Sequence, residues 1–284
     1  MYGGNELPRE GHVGRRPRSV PSMVLILLRP FTQTDKEFET TILQAHYQVD
    51  TIAKKGDAYA MRFDGGKGVC FPQLVNLMPP HKRYIETHLG GGALMRKKLP
   101  AHSQVGIDID PDVIAMWQQR WPNLCEAIQS DAIDYLRGQH LDSDTLIYAD
   151  PPYHPDTRRR SKVYRYDYSI EDHERLLKFL TKLPCKVIIS GYASPLYERY
   201  LSGWSIHRFR AKTHVDTREE WVWFNYPKPE VLHDDRYFGA SFREREVIRR
   251  RQERLRRRIS QLSTVEQKSL YGWLKDRANE GSWA

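Results

Sequence analysis

In Leu146-Ile147-Tyr148-Ala149-Asp150-Pro151-Pro152-Tyr153 a run of apolar residues ends in a carboxylate, two prolines and an aromatic ring. Residues 144–149 read as a buried strand that delivers Asp150 at its carboxyl end. In an open α/β sheet, ligands bind outside the carboxyl ends of the strands. Two successive prolines stiffen the turn and lack N–H groups, while their carbonyls stay free as acceptors. Asp150, Pro151, Pro152 and Tyr153 therefore form a rigid corner with acidic and carbonyl acceptors and a flat stacking surface. It suits a planar substrate that bears an NH₂ group.

Working outward, strands and helices alternate. Residues 83–86 predict a short strand, followed by His88-Leu89-Gly90-Gly91-Gly92 and a helix over 93–98. Glycines between a strand and a helix let a ligand approach the backbone closely. Residues 104–109 predict a second strand, with Pro111 opening a helix to Arg120. Asp108, at the end of that strand and about twenty residues past the glycines, is placed to bind ribose hydroxyls. Asp110 reads as a helix cap. Asp131 lies near the end of another short strand, and by itself could equally cap a helix over Ala132–Arg137. Ser169 and Asp172 resemble a capping box for a helix to Leu183, and residues 186–190 predict a strand. Residues 204–210 and 220–226 predict a β-hairpin around Asp216. Alternation at this spacing predicts an α/β fold with a mostly parallel sheet and a terminal antiparallel β-hairpin. The segment Arg62-Phe63-Asp64-Gly65-Gly66-Lys67-Gly68 reads as a backbone cradle with one cation. It lacks the GxxxxGK[ST] spacing, which speaks against an ATPase.

Taken in order, these residues resemble the Dam-type DNA adenine methylases over residues 61–226. Asp150-Pro151-Pro152-Tyr153 resembles that family's catalytic motif and is the most specific element of the likeness. Phe63, Gly65, Gly66 and Lys67 look like its cofactor-contacting Trp-Ala-Gly-Gly-Lys segment. Glu86 with Gly90, Gly91 and Gly92 resembles its methionine-binding loop. Asp108 and Ile109 match the ribose-binding position, and Asp131 with Ala132 the pair that meets the cofactor adenine. Three departures stand out. Phe63 and Asp64 replace Trp and a small residue. Thr87-His88-Leu89 replaces a Pro-Phe context. Only residues 133–145 separate the Asp131 and Asp150 segments, where Dam-type enzymes carry a long target-recognition domain.

The resemblance implies a Rossmann-like class I methyltransferase. It implies methyl transfer from S-adenosyl-L-methionine to the N6 amine of a flipped adenine, with S-adenosyl-L-homocysteine as product and no metal. The amine is a weak nucleophile because its lone pair is conjugated into the ring. Acceptors at Asp150 and the Pro151 carbonyl would localise that pair and offset the charge that develops, while Tyr153 stacks on the base. DNA is the expected partner. RNA adenine, and for a related motif a protein glutamine amide, also present a planar NH₂. A binding module without activity is a further alternative, against which the retention of Asp150, Tyr153, Gly65 and Lys67 argues. In the loop after the motif, Arg158, Arg159, Arg160, Lys162, Tyr164 and Arg165 fit phosphate contacts and stacking.

Composition bounds the rest. The chain has 284 residues, 39% hydrophobic and 29% charged, with a formal charge of +9. Residues 227–284 carry a net +5 of that excess, which favours phosphate-rich partners. Between Arg243 and Arg258 stand nine Arg and three Glu on a helix expected over 241–262, with a short partner helix around Leu270 to Leu274. That helix reads either as a phosphate-tracking arm or as a solvated or coiled-coil surface. Residues 1–60 read as an N-terminal extension, disordered over 1–22, and residues 227–284 as a basic helical C-terminal extension. No run of 18 apolar residues predicts a membrane span. Cys70, Cys125 and Cys185 are far apart and form no CxxC pair, which points to a reducing, cytoplasmic setting.

Overall fold

The computed structural model describes residues 67–280, apart from 69, 158–164 and 213–216. Phe63, Gly65, Gly66, Arg158, Arg159, Arg160, Lys162 and Tyr164 therefore lie outside the described residues, as does the whole expected N-terminal extension. Helix α1 (Phe71–Val75) precedes β1 (Arg83–Glu86), α2 (Ala93–Lys97), β2 (Ser103–Asp108), α3 (Pro111–Arg120), β3 (Glu126–Gln129), α4 (Ala132–Arg137) and β4 (Thr145–Ala149). Then come α5 (Ile170–Leu180), β5 (Lys186–Gly191), α6 (Pro195–Tyr200), β6 (Ser205–Lys212), β7 (Thr217–Phe224), α7 (Phe242–Ser260) and α8 (Thr264–Glu280).

The seven strands form one sheet in the order β3-β2-β1-β4-β5-β7-β6. Strands β1 to β5 are parallel, and β7 runs antiparallel to both β5 and β6. The fold is thus the expected Rossmann-like α/β architecture with an antiparallel hairpin at its end. The chain winds outward through β2 and β3, then returns to β4 beside β1. The crevice at that reversal is where such sheets bind ligands.

Burial on both faces explains the apolar texture of the central strands. Tyr84, Leu146, Tyr148 and Ile188 pack on one side with Leu74, Leu94, Met95 and Trp117, while Ile85, Ile147, Val187 and Ile189 pack on the other with Ile133, Leu136, Leu176 and Leu180. Successive residues of one strand thus feed opposite layers. Helix starts follow their capping residues. Asp110, Asp131 and Ser194 each accept a backbone N–H at a helix start, and Ser169 and Asp172 form a reciprocal capping box.

Two features extend what the sequence predicts. Helix α6 is additional, and α8 spans 17 residues rather than forming a short helix around Leu270 to Leu274. After the hairpin, residues 227–240 pack on the α/β body before any helix begins. The His233 N–H donates to the Met78 carbonyl, the Leu99 N–H to Asp234, and the Asn76 amide to the Tyr237 carbonyl, at 2.8–2.9 Å. A separate compact unit begins at Leu255, partway along α7. Neither α7 nor α8 contains a buried residue. Among the described residues no helix is long and apolar enough to cross a membrane.

Candidate active site

The acids and glycines singled out by the sequence converge at the carboxyl ends of β1 to β4. They line one cavity of about 640 Å³. Its walls include Lys67, Glu86, Gly90, Gly91, Gly92, Asp108, Ile109, Asp131, Ala132, Asp150, Pro151, Pro152, Tyr153 and Arg165. Tyr153 and Gly90 thus share one space, as a common ligand site requires.

The floor is built by the loop after β1. The Thr87 N–H donates to the Tyr148 carbonyl at 3.0 Å, and the Leu89 N–H to the Ile107 carbonyl at 2.9 Å. Gly90 and Gly92 have φ of 44° and 52°, in the left-handed region that only glycine enters readily. A Cβ on Gly92 would lie 2.1 Å from Cζ2 of Trp117. The Trp117 indole N–H in turn donates to the Gly90 carbonyl at 2.8 Å. Asp108 closes the loop from β2, accepting the Gly90 N–H on Oδ2 at 2.8 Å and the Asp110 N–H on Oδ1 at 2.9 Å. Its burial pushes its pKa upward against these two bonds. Each carboxylate oxygen keeps a second lone pair, so hydroxyls can still be bound there.

Glu86 lies beneath the glycines and is 3% exposed. Its Oε2 accepts the Tyr84 hydroxyl at 3.0 Å and the Met95 N–H at 3.2 Å. Burial pushes its pKa up to about 8, so a cationic group in the cavity would find a carboxyl that ionises readily in its presence. His88, beside it, bonds Thr87 and Tyr168, and burial pulls its pKa down to about 4. It is neutral at pH 7. Asp131 does the helix-capping work, accepting from Ile133 and Asp134 through Oδ1, while Oδ2 pairs with Arg175 at 3.0 Å. Arg165 sits at the cavity rim and pairs with Asp110 and Asp112.

The far end of the cavity is the acceptor corner. Lys67, almost wholly buried, places its ammonium 2.8 Å from Oδ1 of Asp150, 2.8 Å from Oε1 of Glu220 and 3.2 Å from the Tyr153 hydroxyl. Burial alone would depress the lysine, yet Asp150, Tyr153 and Glu220 together hold its pKa well above the usual value. The Ser190 hydroxyl donates to the same Oδ1 at 2.6 Å, and Tyr148 hydrogen-bonds to Ser190 at 2.9 Å. Oδ1 is thus anchored twice, whereas Oδ2 has no protein hydrogen bond among the described residues. The Tyr153 ring packs against Tyr192 with centroids 4.4 Å apart, and the Arg218 guanidinium lies over Tyr192. Burial pushes the thiols of Cys70 and Cys125 up to about 12 and that of Cys185 to about 11. At neutral pH all three are thiols rather than nucleophilic thiolates. Among the described residues no group of three or more His, Cys, Asp or Glu is arranged to hold a metal ion.

The sequence assigns no role to Ser190, Tyr192 or Glu220, although the stretch Lys186–Tyr192 belongs to the resemblance. Glu220 did leave a signal. It shares its face of β7 with Val222 and Phe224, all three buried, and an acid in the apolar phase of a strand marks a buried partner.

Residues 119–215 match the family described as D12 class N6 adenine-specific DNA methyltransferase. The matched segment contains Asp131, Asp150 and Tyr153, and it bears out the resemblance read from the sequence. No curated protein matches the chain. Among solved structures, M. capricolum TrmK in complex with S-adenosyl-homocysteine is similar at 11% identity, with 74% of this chain and 94% of that one covered and a TM-score of 0.40. The putative methyltransferase yhhF from Escherichia coli gives 14% identity, 59% and 89% coverage and a TM-score of 0.37. An rRNA methylase from Streptococcus thermophilus gives 13%, 58% and 98%, and 0.38.

Proposed function

We propose that this chain transfers a methyl group from S-adenosyl-L-methionine to the exocyclic N6 amine of an adenine in DNA. The methyltransferase domain in this reading spans residues 61–226. The observation that carries the reading is the corner at Asp150, where Lys67 and Ser190 hold one carboxylate oxygen and the other is left to accept. The D12 class match over this segment supports adenine N6 in DNA as the target.

The residues present fit the cofactor. A 640 Å³ cavity is of ligand size. Asp108 offers acceptors for ribose hydroxyls, and Glu86 an anionic partner for the amino group of a methionine moiety. The loop at Gly92 leaves no room for a side chain on its Trp117 side. When bound, S-adenosyl-L-methionine supplies a methyl already activated by its sulfonium, so the protein has to position more than it has to move protons.

In this reading Asp150 Oδ2 and the Pro151 carbonyl accept the two amine hydrogens. This draws the nitrogen lone pair out of conjugation with the ring. As the N–C bond forms and the C–S bond breaks, positive charge passes from sulfur to the amine. Asp150 opposes that charge, and the amine proton leaves to solvent through it. Tyr153 offers the face on which the base stacks. The target atom is inaccessible inside a duplex, so the base is taken out of the stack. Arg158, Arg159, Arg160, Lys162 and Tyr164 hold the flanking strand in this reading.

The test is transfer of labelled methyl to duplex DNA, to RNA and to a no-substrate control, with the native protein and with Asp150→Ala. Label enters DNA with the native protein. It falls by at least ~100-fold with Asp150→Ala while S-adenosyl-L-methionine still binds. Equal incorporation by the variant contradicts the role of Asp150, and incorporation into RNA alone contradicts the substrate.

A further inference from the structure

We propose that Glu220 is the positioning residue that keeps the acceptor corner negatively charged, by sharing the Lys67 ammonium with Asp150. The inference rests on the methyl-transfer reading and deepens it, because it assigns the charge that the transition state meets.

Glu220 belongs to β7, two strands away from β4 in the sheet. Its side chain and that of Lys67 are 3% and 4% exposed, so water contributes little to either. An ammonium has three N–H donors. Among the described residues it hydrogen-bonds Asp150 Oδ1 and the Tyr153 hydroxyl at 2.8 and 3.2 Å, and forms an ion pair with Glu220 Oε1 at 2.8 Å. The lysine is thereby fixed in direction, and with it Asp150 and Tyr153.

Charge decides what the third group is for. Lys67 and Asp150 alone would be a neutral pair, and an ammonium that is not shared draws electron density from the carboxylate that must accept the amine hydrogens. With Glu220 ionised, one cation lies between two carboxylates and, among the described residues, the cluster keeps one net negative charge. That charge opposes the positive charge developing on the amine nitrogen in the transition state, when it is worth most in a site shielded from water. The adenine amine carries no such charge in the ground state; the charge then sits on the sulfonium and reaches the amine only as transfer proceeds. The effect therefore belongs to kcat and not to binding. A glutamate whose only task was to satisfy Lys67 would show no such division.

The test is a charge series read as kcat, KM for DNA and cofactor affinity. Glu220→Gln is close in shape and removes the charge. It lowers kcat by roughly 100-fold, with KM and cofactor affinity within about threefold of native. Glu220→Asp keeps the charge and leaves Lys67 in place, and it recovers at least tenfold in kcat over Glu220→Gln. A purely structural role for Glu220 predicts a Glu220→Asp no better than Glu220→Gln, and that result overturns the proposal. So does native kcat in Glu220→Gln. Should Glu220→Gln fail to fold, Glu220→Asp is compared with Glu220→Asn, which again differ by the charge. A kcat at least tenfold higher in Glu220→Asp supports the proposal, and equal kcat in the two overturns it. A native protein that methylates nothing counts against the methyl-transfer reading itself, and is thereby distinguished from a failure of the Glu220 series.

Discussion

Gly92 joins conformation, packing and ligand space in one residue. Its φ of 52° and the 2.1 Å distance at which a Cβ would meet Trp117 act together. Replacing it with alanine incurs the left-handed penalty and an overpacking penalty, together about 3 kcal/mol. At this chain size the Tm of Gly92→Ala falls by roughly 10 °C, and cofactor affinity falls with it because the loop floor moves. Thermal melts with and without S-adenosyl-L-methionine read both effects. An unchanged Tm would mean that the loop has another low-energy path. The residues legible in the sequence were those whose role is local. Asp150-Pro151-Pro152-Tyr153, the glycines and Asp108 all mark strand ends, and strand ends can be recognised from a few neighbours. Ser190 and Glu220 act through long-range contacts. Ser190 meets Asp150 across 40 residues and Lys67 meets Asp150 across 83, and no short window of sequence holds such a pair.

At the scale of elements, the capping box of α5 illustrates why helix starts were easier to read than helix ends. Ser169 Oγ accepts the Asp172 N–H at 3.1 Å, and Asp172 accepts the Ser169 N–H at 3.0 Å. Both partners lie within one turn, so the pattern is visible before any fold is known. The C-terminal end has no equivalent, and α5 stops at Leu180 rather than at the expected Leu183. Ser169→Ala removes one orphan-donor partner at a cost of about 1 kcal/mol, so its Tm drops by about 3 °C while kcat stays unchanged. Calorimetry of the purified variant checks this, and a Tm equal to native would show that the start of α5 is set by its packing alone. Helix α6 escaped notice for a related reason. It has six residues and a single buried one, Tyr197, so it presents too short a stripe for a 3.6-residue period to emerge. The hairpin strands lie close to the expected 204–210 and 220–226, with β6 running to Lys212 and β7 over Thr217–Phe224.

At the scale of the whole molecule, two properties of the chain meet in the proposed chemistry. One is the sheet, whose reversal between β1 and β4 gathers Glu86, Asp108, Asp131 and Asp150 around one cavity although they are spread across the sequence. The alternation of strands and helices made this arrangement legible, because a parallel sheet wound in two directions has only one such crevice. The other is charge, with net +5 of the formal +9 in residues 227–284. The position of α7 in the chain was legible from its arginines. The packing of residues 227–240 on the α/β body was not, because it depends on single hydrogen bonds such as that between Leu99 and Asp234. The central claim is that the anchored carboxylate of Asp150 directs methyl transfer to the N6 amine of adenine in DNA. It is tested most directly by mapping methylated bases in DNA from cells expressing the native protein or Asp150→Ala. The account predicts N6-methyladenine in the first and none above background in the second. Methyl groups found only on cytosine, or equal N6-methyladenine in both, would contradict it.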